Sequence, residues 1–79
     1  MPRYFFHVRD HEDRLVDPLG QIFDNEEGAA KAALHEARAI LSHEVIAGTL
    51  NLDQRIEIED EDGKIVHTLQ FRDAVTIKA

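Results

Sequence analysis

Five histidines in 79 residues are the first side chains to weigh, because neutral imidazole is a common transition-metal ligand and a common general base. His7 and His11 straddle the end of an aromatic, β-branched stretch and a polar turn, where a four-residue spacing does not converge as it would on a helix. His35 and His43 fall on one helical segment, about 80° apart around it and ~12 Å apart along it at 1.5 Å per residue, too far to share an ion. His7 with His67 is the cross-strand pair worth testing, although the simpler expectation for His67 is a half-buried histidine on the core face with one hydrogen-bond partner. No metal site and no cofactor are expected.

The acidic run Glu57, Glu59, Asp60, Glu61, Asp62 ahead of Gly63 has the outline of a calcium loop, in which a glycine occupies the sixth place. Setting Gly63 there puts Ile58 at the first ligand position and Leu69 at the last, where a bidentate glutamate is required. A solvated hairpin tip is the better reading. The single serine, Ser42, adjoins His43, and neighbours on a helix point about 100° apart, so the two do not form a nucleophile and base. The carboxylates sit in turns or on an outward strand face, where water keeps them ionised and unsuited to acid catalysis. Glycines at 20, 28, 48 and 63 spell neither a dinucleotide nor a phosphate-loop fingerprint. The chain is expected not to be an enzyme.

Composition narrows the field further. A formal charge of -7 repels phosphate, which argues against nucleic acid as a partner. The absence of cysteine removes disulfides, thiolate ligands and thiol nucleophiles. The apolar start meets Arg9 and Asp10 after a few residues, far short of the ~18 needed to span a membrane, so a cytoplasmic location is expected. Of 34 hydrophobic residues 9 are alanine, leaving 25 larger apolar side chains to build the core of one domain over residues 1–79. That core is thin, and chains of this size are often marginal alone, which makes self-association an expectation from the outset.

The elements that must position these residues are readable from pattern. Arg3 to Arg9 is aromatic and β-branched and runs into the polar cluster Asp10 to Asp13, the signature of a strand and turn. Arg14-Leu15-Val16 returns beside it, Asp17-Pro18-Leu19-Gly20 fits a type I turn, and Gln21 to Phe23 forms a short strand. Asp24 or Asn25 caps a proline-free, alanine-dense helix from Glu26 to Ala47 that Gly48 ends. Helical spacing places Ala30, Ala33, Leu34, Ala37, Ile40, Leu41 and marginally Val45 on the core face.

Gln54 to Glu59 alternates strictly, with Ile56 and Ile58 inward. Glu61-Asp62-Gly63-Lys64 then reads as a tight primed hairpin turn, and Lys64 to Phe71 as the returning strand. Its parity puts Ile65, His67, Leu69 and Phe71 inward, and Val66, Thr68 and Gln70 outward. The tail Arg72 to Ala79 is expected to extend the edge through Val75 and Ile77. The order β-β-α-β-β, with a further short strand before the helix, predicts an α+β fold in which one long helix packs on one face of an antiparallel sheet of about four strands.

Two surfaces follow as candidates for contact. With Tyr4, Phe6 and Val8 inward, Phe5 and His7 stand on the uncovered sheet face near Val66 and Thr68. On the outer side of the helix, Ala32, His35, Ala39, His43 and Ile46 form a mostly small-residue stripe that a second helix could approach.

The opening Met1-Pro2-Arg3-Tyr4-Phe5-Phe6-His7-Val8-Arg9-Asp10 and the closing Phe71-Arg72-Asp73-Ala74-Val75, bracketing an alanine-rich helix, resemble an uncharacterised family of short bacterial proteins, a domain of unknown function. The resemblance covers nearly the whole chain and implies a bacterial origin. Similar members carry glycine where His11 stands here, which implies a wider first turn. Family members as a group bring no activity, cofactor or site residue to carry over. A looser similarity, of element order alone, exists with HicB-type antitoxins, although the DNA-binding segment typical of those proteins has no counterpart here.

The expected function is a small non-catalytic protein–protein interaction or assembly module, working as a homodimer or with another protein. The alternative is an antitoxin-like inhibitor whose acidic surface receives a basic partner protein.

Overall fold

The computed structural model describes residues 2–78. Strand β1 (Arg3–Arg9) is followed by β2 (Arg14–Leu15), β3 (Gln21–Ile22), helix α1 (Glu26–Ile46), β4 (Arg55–Glu59) and β5 (Ile65–Gln70). All pairings are antiparallel: the order is β2-β1-β4-β5, and β3 pairs with the other end of the same edge of β1. The fold is α+β, with a five-stranded sheet because the returning segment makes two contacts with β1 instead of one.

Helix α1 begins where Asn25, not Asp24, caps it: the Asn25 Oδ1 accepts the Gly28 N–H at 2.9 Å. It ends at Ala47, after which Gly48 takes the left-handed conformation at φ 88°. The residues it buries are Ala29, Ala33, Ala37 and Leu41, each four apart. That stripe is rotated from the expected face: Ala29 joins it, Ala30 is half-buried, and Val45 is 60% exposed. Alanine at the contact lets the helix axis come close to the sheet, so Ile56, Ile58 and Phe71 fill the space beneath without large partners. Tyr4 and Ala74 complete this buried cluster.

Both turns are built on a side-chain acceptor, and the later one in the chain departs from the two-residue hairpin turn expected. Between β4 and β5, Asp60 Oδ1 accepts the N–H groups of Asp62 (2.9 Å) and Lys64 (3.0 Å), and only Gly63 has positive φ, at 82°. A type I′ turn would need positive φ at both Asp62 and Gly63, whereas a three-residue loop closed by Gly63 needs it at that glycine alone. At Asp17–Gly20 it is the Asp17 carboxylate that accepts the N–H groups of Leu19 (3.2 Å) and Gly20 (3.0 Å), an Asx turn.

The register of β5 keeps the expected parity from His67 to Gln70 and corrects it at Ile65 and Val66. Glu59 faces Ile65 and Ile58 faces His67, so Val66 is an extra, unpaired residue, a bulge. Val66 consequently packs against the core cluster, while Ile65 turns to the Glu59 face and is exposed. His67 is exposed too, with no hydrogen bond or ion pair among the described residues, in place of the half-buried, bonded histidine expected. The tail forms no strand: Phe71–Asp73 is a 3-10 turn that drops Ala74 into the core, where its carbonyl accepts from Arg38 Nε at 2.8 Å. Ala79 lies outside the described residues.

Candidate interaction surface

The outer edge of β1 is built in three pieces. β2 pairs with Val8 and Arg9, β3 pairs with Arg3 and Tyr4, and the segment between them carries no strand partner for Phe5 to His7. Asp17 fills that gap: its Oδ2 accepts the Phe6 N–H at 3.1 Å, and its own N–H donates to His7 Nδ1 at 3.1 Å. One carboxylate therefore accepts three backbone N–H groups. Partial burial pushes the Asp17 carboxyl up, but the Gly20, Phe6 and Leu19 donors, with His7 nearby, outweigh it and hold the group below the usual carboxylate range. Gly20, at φ 67°, completes the piece, because a Cβ there would stand 2.8 Å from both the Tyr4 carbonyl and the Phe5 ring.

This arrangement removes part of the surface that the sequence nominates. His7 is 3% exposed: with Nδ1 accepting from Asp17, its proton sits on Nε2, which lies 3.6 Å from Glu59 Oε1 and makes no hydrogen bond. Phe5 is half-buried beside Gly20, Val66 belongs to the core, and Thr68 alone of the four is exposed. His7 and His67 are on opposite faces, since their partners across the ladder, Glu57 and Ile58, are consecutive residues of β4. The rest of that face is a charge lattice in which Glu57 lies 3.7 Å from Arg9 and 3.5 Å from Arg55. Among the described residues no group of three His, Cys, Asp or Glu side chains could hold a metal ion.

On the helix side the same edge leaves an apolar groove of about 690 Å³. β1 contributes Phe6 and Val8, the edge segment Leu15, Val16 and Pro18, and the helix Ala32, His35 and Ile40. The stripe on the helix thus divides: Ala32 and His35 border the groove, whereas Ala39, His43 and Ile46 are exposed beyond it. Of its lining residues, Leu15 is 72% exposed and Val16 is half in water, and on the same edge segment Leu19 and Ile22 are exposed as well. Leu15, Val16 and Pro18 are the residues that pattern reading missed as surface. Their signal was present in the sequence as two adjacent apolar residues in a segment too short to bury both.

The class defined by this fold is a small α+β domain, one helix on an antiparallel sheet, with an apolar groove along an incomplete edge. The chain belongs to the family described as domain of unknown function DUF6894, whose sequence profile matches residues 3–72. No curated protein and no solved structure matched the chain. Among the described residues no helix is long and apolar enough to cross a membrane.

Proposed function

We infer that this protein is a non-catalytic assembly module and that the occupant of its groove is a second copy of the same chain. The observation that carries the reading is the apolar groove of about 690 Å³, whose own rim residues Leu15 and Val16 remain exposed to water. A hollow and an exposed apolar rim on one patch meet the requirement of a two-fold interface, in which the same surface must complement itself. The chain is also less compact than a monomer of its length. The chain exposes 5523 Å², against about 4,900 Å² for a compact monomer of its mass. Its radius of gyration is 12.8 Å, against about 11.6 Å for its length. Charge favours this face as well: in a chain of net charge -7 the groove is bordered by only two carboxylates, Asp17 and Glu36, and the first is engaged internally.

Sedimentation equilibrium at tens of micromolar tests the reading. The expected species has twice the 9.0 kDa mass of one chain. Leu15→Asp should return it to a monomer while changing monomer stability by no more than about 0.5 kcal/mol, as for other exposed positions. A single 9.0 kDa species across that range, or a dimer indifferent to Leu15→Asp, overturns the proposal.

A further inference from the structure

The six arginines divide by what they bond. Arg3 Nη1 donates to the Leu19 carbonyl at 2.8 Å, Arg38 Nε to the Ala74 carbonyl at 2.8 Å and Arg72 Nη2 to Asp53 Oδ1 at 3.0 Å. The side chains of Arg9, Arg14 and Arg55 make no hydrogen bond among the described residues. These three form one row. Arg9 stands opposite Arg14 on one side and opposite Arg55 on the other, so all three leave the same face of the sheet, across roughly 10 Å at the usual strand spacing. That face is turned away from the groove, which Phe6 and Val8 line from the other side of β1.

Like charges directly opposite one another destabilise a sheet, and little inside the molecule offsets them here. One carboxylate is shared: Glu57 lies 3.7 Å from Arg9 Nη1 and 3.5 Å from Arg55 Nε, and Arg14 has no ion pair among the described residues. The shortage of acceptors extends along β1. His7, two residues before Arg9 and on the same face, is 3% exposed with its Nε2 unbonded, and Arg9 Nε is buried with no acceptor. Among the described residues these are the two buried side-chain polar atoms without a partner, and both are donors. We propose that this face binds an acidic polypeptide segment, whose carboxylates seat across Arg14, Arg9 and Arg55.

Charge selects the sign of the partner. Among strand residues the face carries Arg3, Arg9, Arg14 and Arg55 against Glu57 and Glu59, a positive patch in a chain of net charge -7. Planar guanidinium forks match the two oxygens of a carboxylate. A row spread over three strands suits carboxylates spaced along a chain, and an open pleated face does not enclose a small acid as a pocket would. Gln70, opposite Arg55, and Thr68, opposite Glu57, continue the face onto β5 and offer amide and hydroxyl groups to the backbone of the segment. The overall negative charge opposes dense polyphosphate at long range, so recognition rests on short-range contacts.

Amide-resolved NMR titration with an acetylated, amidated Glu-Gly repeat peptide, and separately with citrate and inorganic phosphate, tests the surface. The peptide should give saturable shifts at Arg9, Arg14, Arg55 and Gln70 and bind more tightly than either small anion. Arg14→Gln should weaken it about tenfold, the loss of a charge-assisted hydrogen bond, and leave the melting temperature no lower because a like-charge pair is relieved. Arg9→Lys keeps the charge but not the fork, and should weaken it about threefold. Lys31→Gln, which removes the same charge from the helix, should have no effect. Equal weakening by Lys31→Gln, or unchanged affinity in Arg14→Gln, would mean charge alone and overturn the site. Citrate or phosphate binding as tightly as the peptide would overturn the polypeptide source. A dimer lost in Arg14→Gln would give the face to a second copy and overturn the acidic partner.

Discussion

The two flanks of β1 solve one problem by different means. Toward β4, five consecutive pairs from Phe5–Glu59 to Arg9–Arg55 satisfy the backbone, and the helix seals the layer with an alanine stripe over Ile56, Ile58 and Phe71. Toward the outside, two strands of two residues each satisfy the ends, and the Asp17 carboxylate stands in for the missing ladder between them. The first flank is held by volume, the second by one side chain. That difference explains why large apolar residues are buried on one side and left in water on the other: a segment spent on an Asx turn cannot also lay Leu15, Val16 and Leu19 over a core.

The comparison breaks first at the closed flank. Phe71→Ala empties the largest fully buried side chain and should cost about 3–5 kcal/mol in urea unfolding followed by far-ultraviolet circular dichroism. A chain of this length has only about 4–12 kcal/mol in total, so the variant should be largely unfolded on mild heating. A cost under about 1 kcal/mol would place the core elsewhere.

At the outer flank, Asp17→Asn should cost about 1–2 kcal/mol, because hydrogen bonds to a charged acceptor are exchanged for weaker ones. Hydrogen exchange should quicken at the Phe6 and Gly20 amides, with the β1–β4 ladder unaffected. The cost also depends on pH. The folded carboxyl lies below its unfolded value, so its stabilisation is complete above the ordinary aspartate range near 3.9 and is lost as pH falls through the folded value. The difference between wild type and variant should therefore shrink below about pH 4. A constant difference would mean that the carboxylate charge is not what holds the edge.

The smallest effect is at the helix entry, which serves both flanks. Asn25→Ala removes the acceptor of the Gly28 N–H and should cost about 1 kcal/mol, read as a lower urea midpoint with unchanged slope. A change in slope would show that the first turn of α1 belongs to a separately unfolding unit.

Much of this was written in local pattern. Strict alternation in Arg55–Glu59 and the aromatic run in Arg3–Arg9 define strands because a period of two leaves one buried face, and the proline-free alanine tract with Asn25 and Gly48 at its ends defines the helix. The candidate surface was less legible. Of the sheet-face residues read as free, His7 is buried against Asp17 and Val66 is drawn into the core, and neither outcome has a short-range signal. Ala32 and His35 do border the groove, but the Leu15–Pro18 wall opposite comes from a segment whose pairing is only two residues long.

Element type, order and the inward identity of Ile56 and Ile58 were thus determined by the sequence alone, since they depend on periodicity and caps that act within a few residues. The tertiary structure decided the rest: the bulge at Val66, the rotation of the helix stripe toward Ala29, and the span of Asp17 across an open edge to Phe6 and His7. Each of those is a choice between conformations of similar local energy, and only contacts with residues distant in the chain separate them.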